Sequence, residues 1–171
     1  MQRKHCHTKA TSMKYLLLSA CSFLCGVAVW AQPLRAHLWE SRPLILAANR
    51  ADAPTLQGQL AILTQHQGEV TARDLVVYQI FPEYGLSPSG QELTPQQHAG
   101  LLKAYGPFSA DQLTVVLIGK DGTVKLRQEG LVAHEALWGL IDGMPMRKIE
   151  MQREKKRHGA PGQYSGKSEQ F

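Results

Sequence analysis

Thiols offer the most reactive chemistry a chain can carry, and this one has three, Cys6, Cys21 and Cys25. All three precede the first acid of the sequence, Glu40, and from Gln32 onward there is none. That stretch therefore has no disulfide, no thiolate nucleophile and no cysteine metal site. His37, His66, His98 and His134 are scattered without a metal-ligand spacing such as His-x-x-x-His, so no metal site is expected. His134-Glu135 has the form of a catalytic pair, but at a helix start Glu135 is more simply a first-turn acid complementing the dipole. Gly-x-Ser-x-Gly, Walker and dinucleotide motifs are all missing, so no catalytic residue and no cofactor is assigned. Arg73-Asp74, just before an apolar run, reads as an ion pair or cap rather than an acid–base pair. What remains is anion binding by Arg42, Lys120, Lys125, Arg127 and Arg147. Lys125 and Arg127 are two apart and share one face of a strand. The competing reading is a hairpin with solvated charges, the default for such residues. Asp121 is expected to make the turn rather than to bind a metal.

The elements that would position these residues begin after a leader. Arg3, Lys4, Lys9 and Lys14 precede an apolar run, Tyr15 to Trp30, which exits through Val29-Trp30-Ala31-Gln32. A basic segment, an apolar stretch and a small-residue exit form a secretory signal peptide over 1–31, with cleavage expected after Ala31. The run is short for a spanning helix, which needs about 20 apolar residues. Met13 would open a leader of ordinary length. Leu18-Ser19-Ala20-Cys21 has the form of a lipoprotein site that would lipidate Cys21, and an uncleaved anchor over 15–30 is a further alternative. The expected location is periplasmic or secreted. Membrane contact is expected only through an uncleaved leader, a lipidated Cys21 or the basic tail.

The net charge of +5 misleads. Setting aside Arg3, Lys4, Lys9 and Lys14 leaves 15 basic against 14 acidic residues, and 7 of those basic residues stand at or after Arg147. The domain is mildly acidic and its tail basic, so no nucleic-acid partner is expected. One domain over 32–151 is followed by a basic tail over 152–171, polar enough to be read as disordered.

Pro43 to Ala48 is a short apolar run whose length suits a buried strand. Leu56, Leu60 and Leu63 recur at helical spacing, predicting a helix from about 53 to 67 with Gly68 as its stop and Asp52 as its cap. Asp74 to Ile80 predicts a second strand, and Phe81 to Leu93, with two prolines and two glycines, a long loop. Thr94-Pro95-Gln96-Gln97 is a capping box opening a helix to Tyr105, which Gly106-Pro107 ends. Leu113 to Ile118 and Thr123 to Gln128 are strands joined by a turn at Asp121-Gly122. A last helix covers about 133 to 143, and Pro145 is read as stopping it.

This order predicts an α/β fold of thioredoxin-like type: a central mixed four-stranded sheet with helices on both faces, the first two strands parallel and the last two antiparallel. Thioredoxin chemistry needs a thiol after the first strand, where a helix terminus lowers its pKa. Asn49-Arg50-Ala51-Asp52-Ala53-Pro54 stands there without sulfur, and Asp111-Gln112-Leu113, before the third strand, lacks the usual cis-proline. Thiol–disulfide exchange is thus excluded from Gln32 onward.

Four segments occur in order: Arg42-Pro43-Leu44-Ile45-Leu46, Arg73-Asp74-Leu75-Val76-Val77, Val116 to Arg127 with Ile118-Gly119-Lys120-Asp121-Gly122 inside it, and Ile141-Asp142-Gly143-Met144-Pro145-Met146-Arg147. Together, over about residues 38–151, they resemble the P-DUDES domain family of exported bacterial proteins and vertebrate extracellular proteins, among them equarin and the sushi-repeat-containing ones. The resemblance implies a thioredoxin-like fold and an extracellular setting, and lends no established catalytic residues. Two expectations follow. The first is a non-enzymatic binding or adhesion-type module meeting an envelope or extracellular protein or glycan. The second is a cysteine-independent, oxidative-stress-related enzyme on the same scaffold.

Overall fold

A computed structural model describes residues 32–106, 109 and 112–158 of the chain. The expected leader with its cleavage and lipidation sites, Asp111, and the tail from residue 159 lie outside the described residues. Among those described, no helix is long and apolar enough to cross a membrane.

The apolar runs make the centre of a sheet. Strands β1 (Arg42–Ala47) and β4 (Thr114–Ile118) are buried at every position. Such strands are covered on both faces, which is why their sequences run apolar without alternation. Strand β2 (Leu75–Ile80) lies parallel to β1, in register from Arg42 opposite Leu75 to Ala47 opposite Ile80. On the other side of β1, β4 is antiparallel, and β5 (Val124–Glu129) returns antiparallel beside β4. The turn between them uses Gly122 at φ 76°, a left-handed conformation that costs glycine no Cβ clash. Asp121 makes this turn, its Oδ1 accepting from the Thr123 amide at 3.1 Å.

The sheet has five strands rather than the four expected, in the order β3-β2-β1-β4-β5. Strand β3 (Gly85–Leu86) falls inside the segment read as a loop and pairs antiparallel with the end of β2. It forms because the Phe81 amide donates to the Tyr84 carbonyl at 2.8 Å, folding the chain back. Two residues carry no periodicity to read.

Helices cover both faces. Helix α2 (Pro54–Gln65), α3 (Gln67–Ala72) and α5 (His134–Asp142) bring Leu56, Leu63, Val70, Leu137, Trp138 and Ile141 onto Leu44, Leu46, Val115 and Leu117. On the opposite face, α1 (Gln32–Arg35) and α4 (Pro95–Tyr105) bring Leu34 and Leu101 onto Ile45, Ala47, Tyr78, Ile80, Val116 and Ile118. Residues one apart on β1 thus feed two different cores. Each fully buried side chain of this size contributes about 1.5–3 kcal/mol.

The capping box of α4 is formed: Thr94 Oγ1 accepts from the Gln97 amide at 3.3 Å and Gln97 Oε1 from the Thr94 amide at 3.0 Å. Three local expectations are corrected. Asp52 does not cap α2; the N-cap is Ala53 without a side-chain bond, and Asp52 lies one residue too early and pairs with Arg50 at 3.0 Å. Gly68 does not stop a helix; the break comes at His66 (φ −108°, ψ 33°), and Gly68 lies within α3. Pro145 opens a helix, α6 (Pro145–His158), at its first position, where the missing N–H costs nothing. This helix carries regular structure past Met151, through seven residues read as disordered tail.

Candidate functional site

Parallel strands β1 and β2 begin at one end of the sheet, and antiparallel β4 finishes there. Arg42, the first residue of β1, Asp74, just before β2, and Lys120, just after β4, are therefore neighbours. Helix α6 lies against this end. Arg42 and Lys120 are only 1% and 8% exposed. Arg42 Nη2 donates to both oxygens of Glu150, at 3.0 and 3.1 Å, and its Nη1 to the Arg73 carbonyl at 2.8 Å. Lys120 Nζ lies 2.7 Å from Asp74 Oδ2 and 2.8 Å from Glu150 Oε1. Arg147, 5% exposed, lies 3.5 Å from Asp142 Oδ1, 3.5 Å from Glu150 Oε2 and 3.1 Å from Glu154 Oε1. Arg73 pairs with Glu69 and with Asp142, at 2.5 Å from the latter, and stacks 5.0 Å above the Trp138 ring.

Four buried cations are thus interleaved with five carboxylates. Burial penalises the Arg73 cation, but hydrogen bonds to Asp142 and Glu69 outweigh it and raise its pKa. Burial would likewise raise the Glu150 pKa, but hydrogen bonds from Lys120 and Arg42 prevail and hold it below the ordinary glutamate range. Arg73 and Asp74 do form ion pairs, though not with each other: Arg73 pairs with Glu69, four residues before it, and with Asp142, and Asp74 with Lys120 and Arg42. The backbone here is strained: Asp74 takes φ 49° and Trp39, 65% exposed, takes φ 67°, its amide donating to the Lys120 carbonyl at 2.8 Å.

Of the five cations read as one anion patch, the structure brings Arg42, Lys120 and Arg147 together on Glu150. Lys125 and Arg127 stand on β5, apart from that carboxylate. Lys125 Nζ donates to Asp121 Oδ2 at 2.7 Å, which lowers the Asp121 pKa. Arg127 Nη1 donates to the Tyr105 carbonyl at the end of α4, where a cation complements the helix dipole.

The opposite end of the sheet, at the carboxyl ends of β1 and β2, carries an open cleft lined by Asn49, Arg50, Ala51, Phe81, Pro82, Glu83 and Tyr84. Phe81 and Tyr84 pack with ring centroids 4.7 Å apart. His98 from α4, buried, donates Nε2–H to the Phe81 carbonyl at 2.8 Å and fixes the rim. The carboxyl ends of parallel strands are where open α/β sheets hold ligands. Phe81 is itself buried, so the cleft presents the half-buried Tyr84 ring with the exposed side chains of Pro82, Glu83 and Arg50, the last paired with Asp52, and no nucleophile.

Two histidine arrangements escaped sequence reasoning. His37 Nδ1 lies 2.6 Å from Ser41 Oγ and its Nε2 lies 2.7 Å from the Tyr78 hydroxyl. Burial lowers the His37 pKa and raises that of Tyr78, so both stay neutral. Among the described residues no carboxylate reaches His37 to stabilise an imidazolium, so this relay ties the lead-in to β2 rather than activating Ser41. His66 and His134 stack at 3.9 Å, with Glu135 3.3 Å from His134. Among the described residues, no group of three or more His, Cys, Asp or Glu could hold a metal ion.

A mixed five-stranded sheet with helices on both faces, closed by an ion cluster at one end and open as a cleft at the other, defines an α/β domain. Residues 33–150 match the family described as a domain of unknown function (DUF4174), and the chain belongs to that family. The match spans the cluster from Arg42 to Glu150 and stops short of Glu154. No curated protein and no solved structure matches the chain.

Proposed function

We propose that this is an exported, non-enzymatic binding or adhesion-type module of the cell envelope or exterior, built on a thioredoxin-like scaffold of the P-DUDES kind. The order β2-β1-β4-β5, with the first pair parallel and the others antiparallel, supports the scaffold. The observation that carries the binding reading is the cleft itself. At the place where a thioredoxin-like enzyme presents its thiol, the chain presents Asn49, Arg50 and Ala51 facing Phe81, Pro82 and Tyr84. Every cysteine lies before Gln32. The partner is an envelope or extracellular protein or glycan, met through the Tyr84 ring, the Glu83 charge and Arg50, whose exposed pairing with Asp52 a partner carboxylate or hydroxyl would replace.

The test is surface-immobilised chain starting at Gln32, exposed to envelope polysaccharide and to soluble envelope proteins. Saturable binding that falls at least about tenfold in Arg50→Ala and Tyr84→Ala, a loss above 1.4 kcal/mol, is the expected result. Binding that neither substitution affects, or none in any fraction, would overturn the assignment of the cleft.

A further inference from the structure

We infer that Glu150 is the internal occupant of an oxyanion-binding site formed by Arg42 and Lys120, and that α6 is a strap whose displacement opens this site to an external oxyanion. Carboxylate, sulfate and phosphate groups share the required chemistry.

Three observations carry this. First, Glu150 sits as a bound anion would. Arg42 contacts both its oxygens at 3.0 and 3.1 Å and Lys120 one of them at 2.8 Å, and both cations are at least nine-tenths buried. Arg42 Nε is also buried and makes no hydrogen bond within the described residues, so the guanidinium retains a donor. Second, Arg42 and Lys120 have little else to pair with. Arg73 and Arg147 pair with Glu69, Asp142 and Glu154, and Arg147 reaches Glu150 only at 3.5 Å. Beside Glu150, Arg42 and Lys120 share only Asp74, at 3.9 and 2.7 Å, so an external anion can take the place of Glu150 on these two cations, although the cluster without it would hold as many carboxylates as cations. Third, α6 is held by charge. Arg147 is its only fully buried side chain among those described, and Ile149 is 48% exposed. A helix that buries no apolar stripe lacks the packing that fixes ordinary helices.

An internal carboxylate lowers the apparent affinity for an external anion by the fraction of molecules in which it is displaced. Removing its charge removes that competition. Calorimetric titration with sodium sulfate, against sodium chloride of equal ionic strength, is therefore expected to show one site in Glu150→Gln, about tenfold or more tighter than in the natural chain. Adding Lys120→Met to Glu150→Gln is expected to abolish it. Equal affinity in the natural chain and Glu150→Gln, or binding indifferent to Lys120→Met, overturns the inference. A second measurement needs no variant. Trypsin can cut α6 after Lys148, Arg153, Lys155, Lys156 and Arg157. Sulfate generally stabilises folded proteins and so slows proteolysis. Faster cutting at these sites in sulfate than in chloride is the expected result, and equal or slower cutting refutes a displaceable strap. Sulfate binding by Glu150→Gln would stand even if the cleft proved to bind nothing, so the two readings fail separately.

Discussion

Replacing Arg42 with methionine keeps the unbranched stem that packs at the start of β1 and removes the charge. The substitution deletes the hydrogen bond to the Arg73 carbonyl at 2.8 Å, worth about 1–1.5 kcal/mol. It also strips Glu150 of one of its two close cations. Breaking a fully buried pair costs about 3–5 kcal/mol, but Glu150 retains Lys120 at 2.8 Å and α6 can swing toward water. The net loss is about 2–3 kcal/mol, a fall in Tm of about 8–12 °C for a domain this size. Urea unfolding followed by tryptophan fluorescence reads the loss directly. Glu150→Gln alone costs less, about 1 kcal/mol, because it frees only the strap. The double variant should fall short of additivity by about 1 kcal/mol, since both changes break the same contact. An Arg42→Met loss below about 0.5 kcal/mol, the level of an ordinary surface change, or strict additivity with Glu150→Gln, would refute the coupling of α6 to the sheet through this pair.

Other positions are equally open to test. The Glu150 pKa is depressed in the folded chain, so its contribution is complete above the ordinary glutamate range and lost as pH falls through the depressed value. Protection of the α6 amides, taken relative to the intrinsic exchange rate at each pH, should therefore be high near neutrality and fall in acid before that of the sheet, whereas simultaneous loss in both would contradict this. Gln59, fully buried, ties α2 to the loop after β5, donating to the Val132 carbonyl at 3.2 Å and accepting from its amide at 2.8 Å. Gln59→Leu strands both backbone groups and should cost about 2–3 kcal/mol by urea unfolding. At Gly85 a Cβ would stand 2.9 Å from Ile80 Cδ1, 3.0 Å from Leu93 Cδ1 and 3.3 Å from the Gln79 carbonyl. Gly85→Ala should therefore lose about 1–3 kcal/mol in thermal unfolding. Thr94→Ala, which removes the capping box of α4, should lose about 1 kcal/mol by the same measurement.

The central strands, the Asp121-Gly122 turn and the α4 capping box are legible because each is encoded within a few residues. Strand β3 is not, since two residues at a sheet edge are defined by their partner, Gln79-Ile80, and by no pattern of their own. Helix α6 had a readable signal: Met, Lys, Glu, Gln and Arg are strong helix formers, and Pro145 suits a helix start. In the sequence its polarity reads as disorder because no apolar stripe marks the helix. The five-cation patch shows the limit most clearly. Arg42 and Glu150 meet across 108 residues and Lys120 and Asp74 across 46. Cations are visible one by one in a sequence, but the carboxylates that neutralise them are found only once β1, β2 and β4 end side by side. The placement of Lys125 and Arg127 on another part of the hairpin follows from that same topology.

The central claim, that this scaffold binds rather than catalyses, meets its most direct test in turnover. Chain starting at Gln32, free of cysteine, is incubated with hydrogen peroxide and separately with a disulfide substrate and a dithiol reductant. Rates indistinguishable from buffer are the expected result. Turnover proportional to protein concentration, and lost on unfolding, would contradict the binding account and favour a cysteine-independent enzyme.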